Sequence, residues 1–279
     1  MRFPQGRAKA LTLSYDDGVE QDIKLMEILD KNGIKCTFNI NSGRFAAEDK
    51  VYPEGTIHRI MSKSKALNTF KDSGHEVAVH GYSHPFLESL PPATAAWDII
   101  NDRRCLEAEF DTVIRGMAYP YGTTSDTVVE ILKNSGIVYA RTTVSTEKFD
   151  IPKDWLRMPA TCHHNCKSLM TLAERFVAMD VPRHPKMFYL WGHSYEFEQD
   201  NSWEIIEKFS EYVGGKEDIW YATNIEIYDY VQAYNRLEWA ADISKVHNPS
   251  AISVWVNTGL NNSSKRTVEI KPGETVKLF

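Results

Sequence analysis

The feature that most restricts this chain is a rhythm. A short β-type run, a loop, a helix-type stretch closed by glycine, and another β-type run recur from residue 9 to about residue 237. Residues 9–15 (KALTLSY) are rich in β-formers and stop at Asp16-Asp17-Gly18. Residues 20–32 then carry Ile23, Met26 and the Ile28/Leu29 pair at helical spacing, closed by Gly33. Residues 35–40, 75–80, 114–119, 138–143, 156–161, 187–191 and 219–222 read as further strands. Helices are expected over 57–72, 94–110, 125–135, 169–179, 203–213 and 225–237. Such units give a parallel sheet, because consecutive parallel strands need a crossover long enough to hold a helix. A count of seven or eight favours an α/β fold of the distorted (β/α) TIM-like barrel type. The first strand is not followed by a dinucleotide fingerprint, which counts against a Rossmann fold. Helical character stops near Ala241, so residues 1–240 are expected to form the barrel. Residues 241–279 are expected to form a small C-terminal β-appendage: VWVN, a polar Asn/Ser/Gly loop, then TVEIKPGETVKLF.

Composition excludes several classes. The 279 residues are 42% hydrophobic and 25% charged, ordinary values for a folded soluble chain, and Trp, Tyr and Phe are plentiful. The net charge of −6 contains no basic stripe, which argues against nucleic acid as a partner. No apolar run reaches the roughly 18–20 residues of a membrane span. The first residues show no hydrophobic leader, so the expected location is cytoplasmic, with a removed export signal as the alternative. Four cysteines (Cys36, Cys105, Cys162, Cys166) in a chain of this length do not make a disulfide framework.

The polar residues that end the predicted strands carry the chemistry. The first ends in Asp16-Asp17, the third in His80 with His84 four residues on, and the fourth in Tyr119-Pro120-Tyr121-Gly122. The strand over 156–161 runs into His163-His164, and the one ending at Trp191 runs into Gly192-His193. In a βα barrel these ends share one rim, so carboxylates and imidazoles distant in sequence converge there. Two imidazoles four residues apart plus one carboxylate make a ligand set for zinc, or for cobalt, nickel or iron, with positions left open. A second carboxylate suits a general base and an opposed imidazole a general acid, the parts of a metal-assisted amide or ester hydrolase. Tyr82, Phe86, Tyr121, Trp155, Trp191, Tyr195 and Phe197 flank the same rim, and aromatic faces suit a carbohydrate groove. The run Cys162-His163-His164-Asn165-Cys166 lacks a distant second ligand pair and reads as a strand-end loop facing substrate rather than a separate zinc site.

The segments LTLSYDDG (11–18), GHEVAVHGYSHP (74–85), AYPYG (118–122) and YLWGH (189–193) together resemble the polysaccharide deacetylase family, the NodB-homology group or carbohydrate esterase family 4. The order and spacing of all four match, so the resemblance covers roughly residues 8–234. It implies a distorted (β/α) barrel and a metal-dependent hydrolase that removes an acetyl group from an N-acetylated sugar or oligosaccharide. Carried over, it makes Asp16 the general base and Asp17, His80 and His84 the ligands of one divalent metal, zinc first. His193 becomes the general acid, and the Pro120-Tyr121 segment supplies a backbone N–H from Tyr121 to the oxyanion. Tyr82, Pro120, Trp155, His163, His164 and Trp191 are the expected substrate-binding residues. Many members place an Arg two residues before the motif proline; here that position is Ala118, and Arg115 or Arg141 is the candidate replacement. Asp154 is the candidate for the carboxylate that orients His193. Two other readings stay open: an amidase on a small non-sugar amide or cyclic imide, and a non-catalytic carbohydrate-binding protein on the same fold.

Overall fold

In the computed structural model of the chain, residues 1–180, 183–258 and 266–278 are described. The strands of the main sheet are β1 (Lys9–Asp16), β2 (Cys36–Ile40), β3 (Glu76–Val79), β4 (Gly116–Ala118), β5 (Tyr139–Ser145), β6 (Met158–Ala160), β7 (Cys162–His163), β8 (Lys186–Gly192) and β9 (Ile219–Tyr221). Their order is β6-β5-β4-β3-β2-β1-β8-β7, all pairs parallel, with β9 paired to the start of β1. The two ends of this order, β6 and β7, are separated in the chain only by Thr161, whose N–H donates to Tyr189 O at 2.8 Å. The pairings therefore return on themselves, as in a distorted barrel. The helices are α1 (Gln21–Lys31), α2 (Lys63–Phe70), α3 (Pro92–Phe110), α4 (Asp126–Asn134), α5 (Leu169–Val177), α6 (Ser194–Gln199), α7 (Trp203–Val213) and α8 (Asn224–Asn235).

The central strands β1 and β2 are buried on both faces, and the alternation of side chains sorts two layers. Leu11, Leu13 and Tyr15 of β1, Phe38 of β2, and Phe188 and Leu190 of β8 join the apolar layer beneath the helices. The opposite face holds Ala10, Tyr139, Met158, Met187, Tyr189 and Trp191, together with polar residues that satisfy one another. Thr12 Oγ1 donates to Asn224 Oδ1 at 2.9 Å, Ser14 Oγ and Tyr189 Oη are 2.9 Å apart, and Glu76 accepts from Tyr139 Oη and Thr37 Oγ1. Climbing β1, this inner face ends in Asp16, so the strand itself delivers a carboxylate to the carboxyl rim.

The helix expected over 57–72 is shorter. Only Lys63–Phe70 is helical, capped by Ser62 Oγ accepting from Lys65 N–H, and residues 56–60 instead run across the rim as a strap. Beyond α8, β10 (Glu238–Trp239), β11 (Lys245–His247) and β14 (Thr275–Lys277) make one small antiparallel sheet. A hairpin of β12 (Val254–Thr258) and β13 (Arg266–Ile270) makes another. The hairpin meets the chain start, where Arg2 N–H donates to Trp255 O, and Tyr230 of α8 donates to Arg2 O. The polar loop expected between the two hairpin strands lies outside the described residues, apart from its two ends, Thr258 and Arg266. Among the described residues no helix is long and apolar enough to cross a membrane.

Candidate active site

The rim gathers Asp16 and Asp17 from β1, His80 after β3, His84 four residues on, and His193 after β8. His80 Nε2 is 3.8 Å from Asp16 Oδ2 and 3.7 Å from Asp17 Oδ1, His84 Nε2 is 3.7 Å from Asp17 Oδ1, and His193 Nε2 is 3.9 Å from Asp16 Oδ2. The predicted base, ligand set and acid are thus one constellation.

The ligand set fits a cation on two observations. His80 Nδ1 donates to the carbonyl of Ala118 at 2.8 Å, and because a carbonyl can only accept, Nε2 of the neutral ring is bare. That bare nitrogen faces Asp17 Oδ1, a buried oxygen with no hydrogen-bond partner. One ligand atom from each of Asp17, His80 and His84 lies within 4.8 Å of the others. A lone pair and an anionic oxygen facing each other without a proton between them are compensated by a metal ion.

Backbone strain and α3 shape this pocket. Asp17 (φ 83°), His84 (φ 58°) and Tyr121 (φ 59°) all sit in the left-handed region, which ordinary side chains avoid. Gly81 (φ 77°) lies between the two ligand histidines, where a Cβ would come within 3.0 Å of Asp98 Oδ1. Asp98 accepts from Ser83 N–H and Oγ, so a hydroxyl two residues after Gly81 holds the loop. Asp102, one turn further along α3, accepts from Ser42 and from His80 N–H, while Asn41 Nδ2 donates to His80 O and Gly81 O.

Asp16 keeps its cation, supplied by Arg141 of β5. The guanidinium pairs with Oδ2, lies over the Trp191 ring at 4.3 Å and is 1% exposed. Arg115, the other candidate, is bound to Asp229. Asn39 Nδ2 donates to the second Asp16 oxygen at 2.8 Å. Burial alone would raise the Asp16 pKa, but Arg141, His80 and His193 outweigh it and hold the carboxyl below its ordinary range.

The carboxylate that orients His193 is Glu196, not Asp154. His193 Nδ1 donates to Glu196 Oε1 at 3.2 Å, leaving Nε2 toward Asp16. Burial would lower the His193 pKa; Glu196, Asp16 and Asp17 overcome that and raise it. His163 Nε2 and His164 Nε2 lie 3.1 and 3.0 Å from Glu196 Oε2, so the two histidines expected to face substrate instead crowd this carboxylate. His164 is fully buried between Tyr15 and Phe197, and only a glycine at 192 leaves room for it, since a Cβ there would meet its Nδ1 at 2.0 Å. Asp154 accepts from Leu156 N–H and Arg157, holding the turn before β6.

Among the other expected substrate residues, Trp191 lies under Arg141 and His163. Tyr82 packs edge-on to Trp97, and Pro120 is buried in the turn that exposes Tyr121. Phe86 stacks on Tyr121 at 3.8 Å, which in turn meets His84, so an exposed aromatic shelf borders the ligand set. Trp155 is not at this rim: it precedes β6, at the amino ends of the strands, and packs against Tyr228 of α8. All four cysteines are free.

A parallel strand circuit with carboxylates and imidazoles at its carboxyl ends is the arrangement in which barrel folds carry their active sites. Residues 4–140, just under half of the chain, match the sequence model of the family described as polysaccharide deacetylase. It is 25% identical over 126 residues to chitin deacetylase 1 of Cryptococcus neoformans, a match covering 45% of this chain and 24% of that protein. The chain thus spans about a quarter of the length of that curated relative. Its fold is similar to a family 4 carbohydrate esterase from Streptomyces lividans solved with acetate (TM-score 0.51, 17% identity, 76% of this chain and 91% of that one). It is also similar to a Mycobacterium smegmatis protein assigned as a polysaccharide deacetylase (TM-score 0.57, 14% identity, 84% and 94%).

Proposed function

We propose that this chain is a metal-dependent hydrolase that removes the acetyl group from an N-acetylated sugar or oligosaccharide. The observation that carries the reading is the position of Asp16 Oδ2, 3.8 Å from a ligand histidine on one side and 3.9 Å from His193 Nε2 on the other. Asp17 Oδ1, His80 Nε2 and His84 Nε2 would hold one divalent ion, zinc by its donor chemistry, with cobalt, nickel or iron as alternatives. When bound, the ion supplies Lewis-acid polarisation of the acyl carbonyl and acidifies a water.

The side chains do the rest. Asp16, kept ionised by Arg141 and anchored by Asn39, takes a proton from the attacking water at Oδ2. Tyr121, turned outward by its left-handed backbone, offers its N–H to the developing oxyanion. His193 carries a proton on Nε2 to the departing amine, its ring fixed by Nδ1–H on Glu196. The shelf of Phe86 and Tyr121 gives the apolar face of a pyranose ring a surface to stack on.

The test is acetate release from N-acetylated oligosaccharides by wild-type and Asp16→Asn protein. The asparagine keeps an oxygen for Arg141 but not the basicity, so metal content stays and turnover falls by about 100-fold or more. Full activity in the variant overturns the role of Asp16. Turnover of small amides or cyclic imides alone favours the amidase reading, and sugar binding without turnover favours a binding protein.

A further inference from the structure

The mechanism makes no use of His58, which the structure brings within hydrogen-bond distance of Asp17. The strap that carries it is tied down on both sides. Arg59 donates to Glu20 at 3.0 Å and to both oxygens of Glu198 at 2.7 and 2.9 Å. Gln21 Nε2 donates to Ile57 O at 2.5 Å, Glu20 N–H to Arg59 O at 2.8 Å, and Met61 N–H to Gly18 O at 3.0 Å. Between these anchors the His58 ring packs edge-on to Tyr195, with centroids 4.7 Å apart, and its Nε2 lies 3.1 Å from Asp17 Oδ2. A carboxylate only accepts, so the shared proton belongs to His58.

The two oxygens of Asp17 are therefore unequal. Oδ2 is engaged by His58, while Oδ1 is buried, unpartnered and 3.7 Å from both His80 Nε2 and His84 Nε2. The backbone does not let the side chain escape, since Asp17 N–H donates to Asn39 O at 3.0 Å and its φ is 83°.

We propose that His58 is a positioning residue that confines Asp17 to ligation through Oδ1 alone, and so sets the affinity and the coordination number of an ion at the Asp17–His80–His84 site. The inference rests on the reading of that set as a metal site. Without His58 the carboxylate is free to turn and chelate with both oxygens, filling a position that water or substrate needs. Loss of such an outer hydrogen bond weakens metal binding by about 10- to 100-fold.

The experiment compares wild-type protein with His58→Ala, His58→Gln and Asp17→Ala. Zinc affinity is measured by competition with a chromophoric chelator, coordination by the visible spectrum of the cobalt(II) form, and folding by the thermal midpoint of the metal-free protein. The expected result for His58→Ala is one ion per chain, bound about 10- to 100-fold more weakly, with less intense cobalt bands as coordination number rises. His58→Gln, whose amide donates to Oδ2, restores both. Wild-type affinity and spectrum in His58→Ala overturn the proposal, as does a glutamine variant no better than alanine. If Asp17→Ala loses the ion while His58→Ala behaves as wild type, only the role of His58 fails. If the wild-type chain binds no ion, or binds it equally well without Asp17, the metal-site reading fails and takes this inference with it.

Discussion

Replacing Glu196 with glutamine removes a charge and leaves a side chain of the same shape, so it isolates what the carboxylate does for His193. Their contact is 3.2 Å, and the side chains are 22% and 20% exposed. Two unit charges about 4 Å apart interact by about 4 kcal/mol at an effective dielectric of 20. That attraction favours the protonated imidazole, and its loss lowers the His193 pKa. Desolvation of His193 opposes the lift and solvent at the open rim weakens it, but the balance still leaves the imidazole above its ordinary value. The sign follows from the role. A general acid must be protonated, so activity falls as pH rises through its pKa, and lowering that pKa moves the fall to lower pH. In Glu196→Gln the basic limb of kcat/KM is expected to move to lower pH. Rates on the acid side stay within a few-fold of wild type, and rates on the alkaline side drop by about 10-fold or more. The assay is a pH profile of acetate release with metal saturating throughout. A basic limb that does not move refutes the reasoning, since Glu196 would then contribute shape alone.

Two further outcomes concern buried charge. Arg141 and Asp16 are both almost fully buried, so Arg141→Met leaves an uncompensated carboxylate and is expected to cost about 3–5 kcal/mol in urea unfolding. Adding Asp16→Asn to that variant recovers much of the loss, and a double variant no more stable than the single one contradicts the pairing. Glu76, partly buried among Tyr139, Thr37 and the start of α8, has its pKa raised by burial from 4.5 to about 7. A raised carboxyl contributes stability that is fully present below about pH 4.5 and lost as pH rises through about 7, a change on the order of 3 kcal/mol. Glu76→Gln is expected to remove that fall from the denaturation midpoint measured between pH 4 and 8, and parallel curves for the two proteins would rule it out.

Much of the rim was legible because a parallel βα fold turns strand ends into neighbours, whatever their separation in sequence. Asp16, Asp17, His80 and His193 each end a strand, and His84 follows by local spacing. The residues that tune them were harder to read for a physical reason: each reaches the site from an element with its own local logic. Arg141 stands in a strand whose neighbours pack in the core, and its charge in VYARTT was the available signal; nothing local says it meets Asp16 rather than solvent. Glu196 had a weak signal, an acid three residues after His193 at the start of a helix, but Asp154 offered an equally plausible carboxylate until the turn before β6 was seen to consume it. His58 had none, because the periodicity around it reads as helix while contacts with Glu20, Gln21 and Glu198 pull that backbone into a strap. Trp155 was misplaced for the converse reason: it adjoins a strand at its amino end, and composition does not distinguish one end from the other.

Helix α6 is only six residues long, yet it follows directly on His193, carries Glu196, and ends with Glu198 clamping Arg59 of the strap. The carboxylate that holds His193 and the anchor of the strap are therefore built into one small part. Any displacement of the strap pulls through Glu198 on the helix that also carries Glu196. Any exchange of this loop with a relative's, made to widen or narrow the groove, carries the helix with it. The two should be transplanted together, because a strap moved alone would lose its hinge pin and leave the acid misaligned.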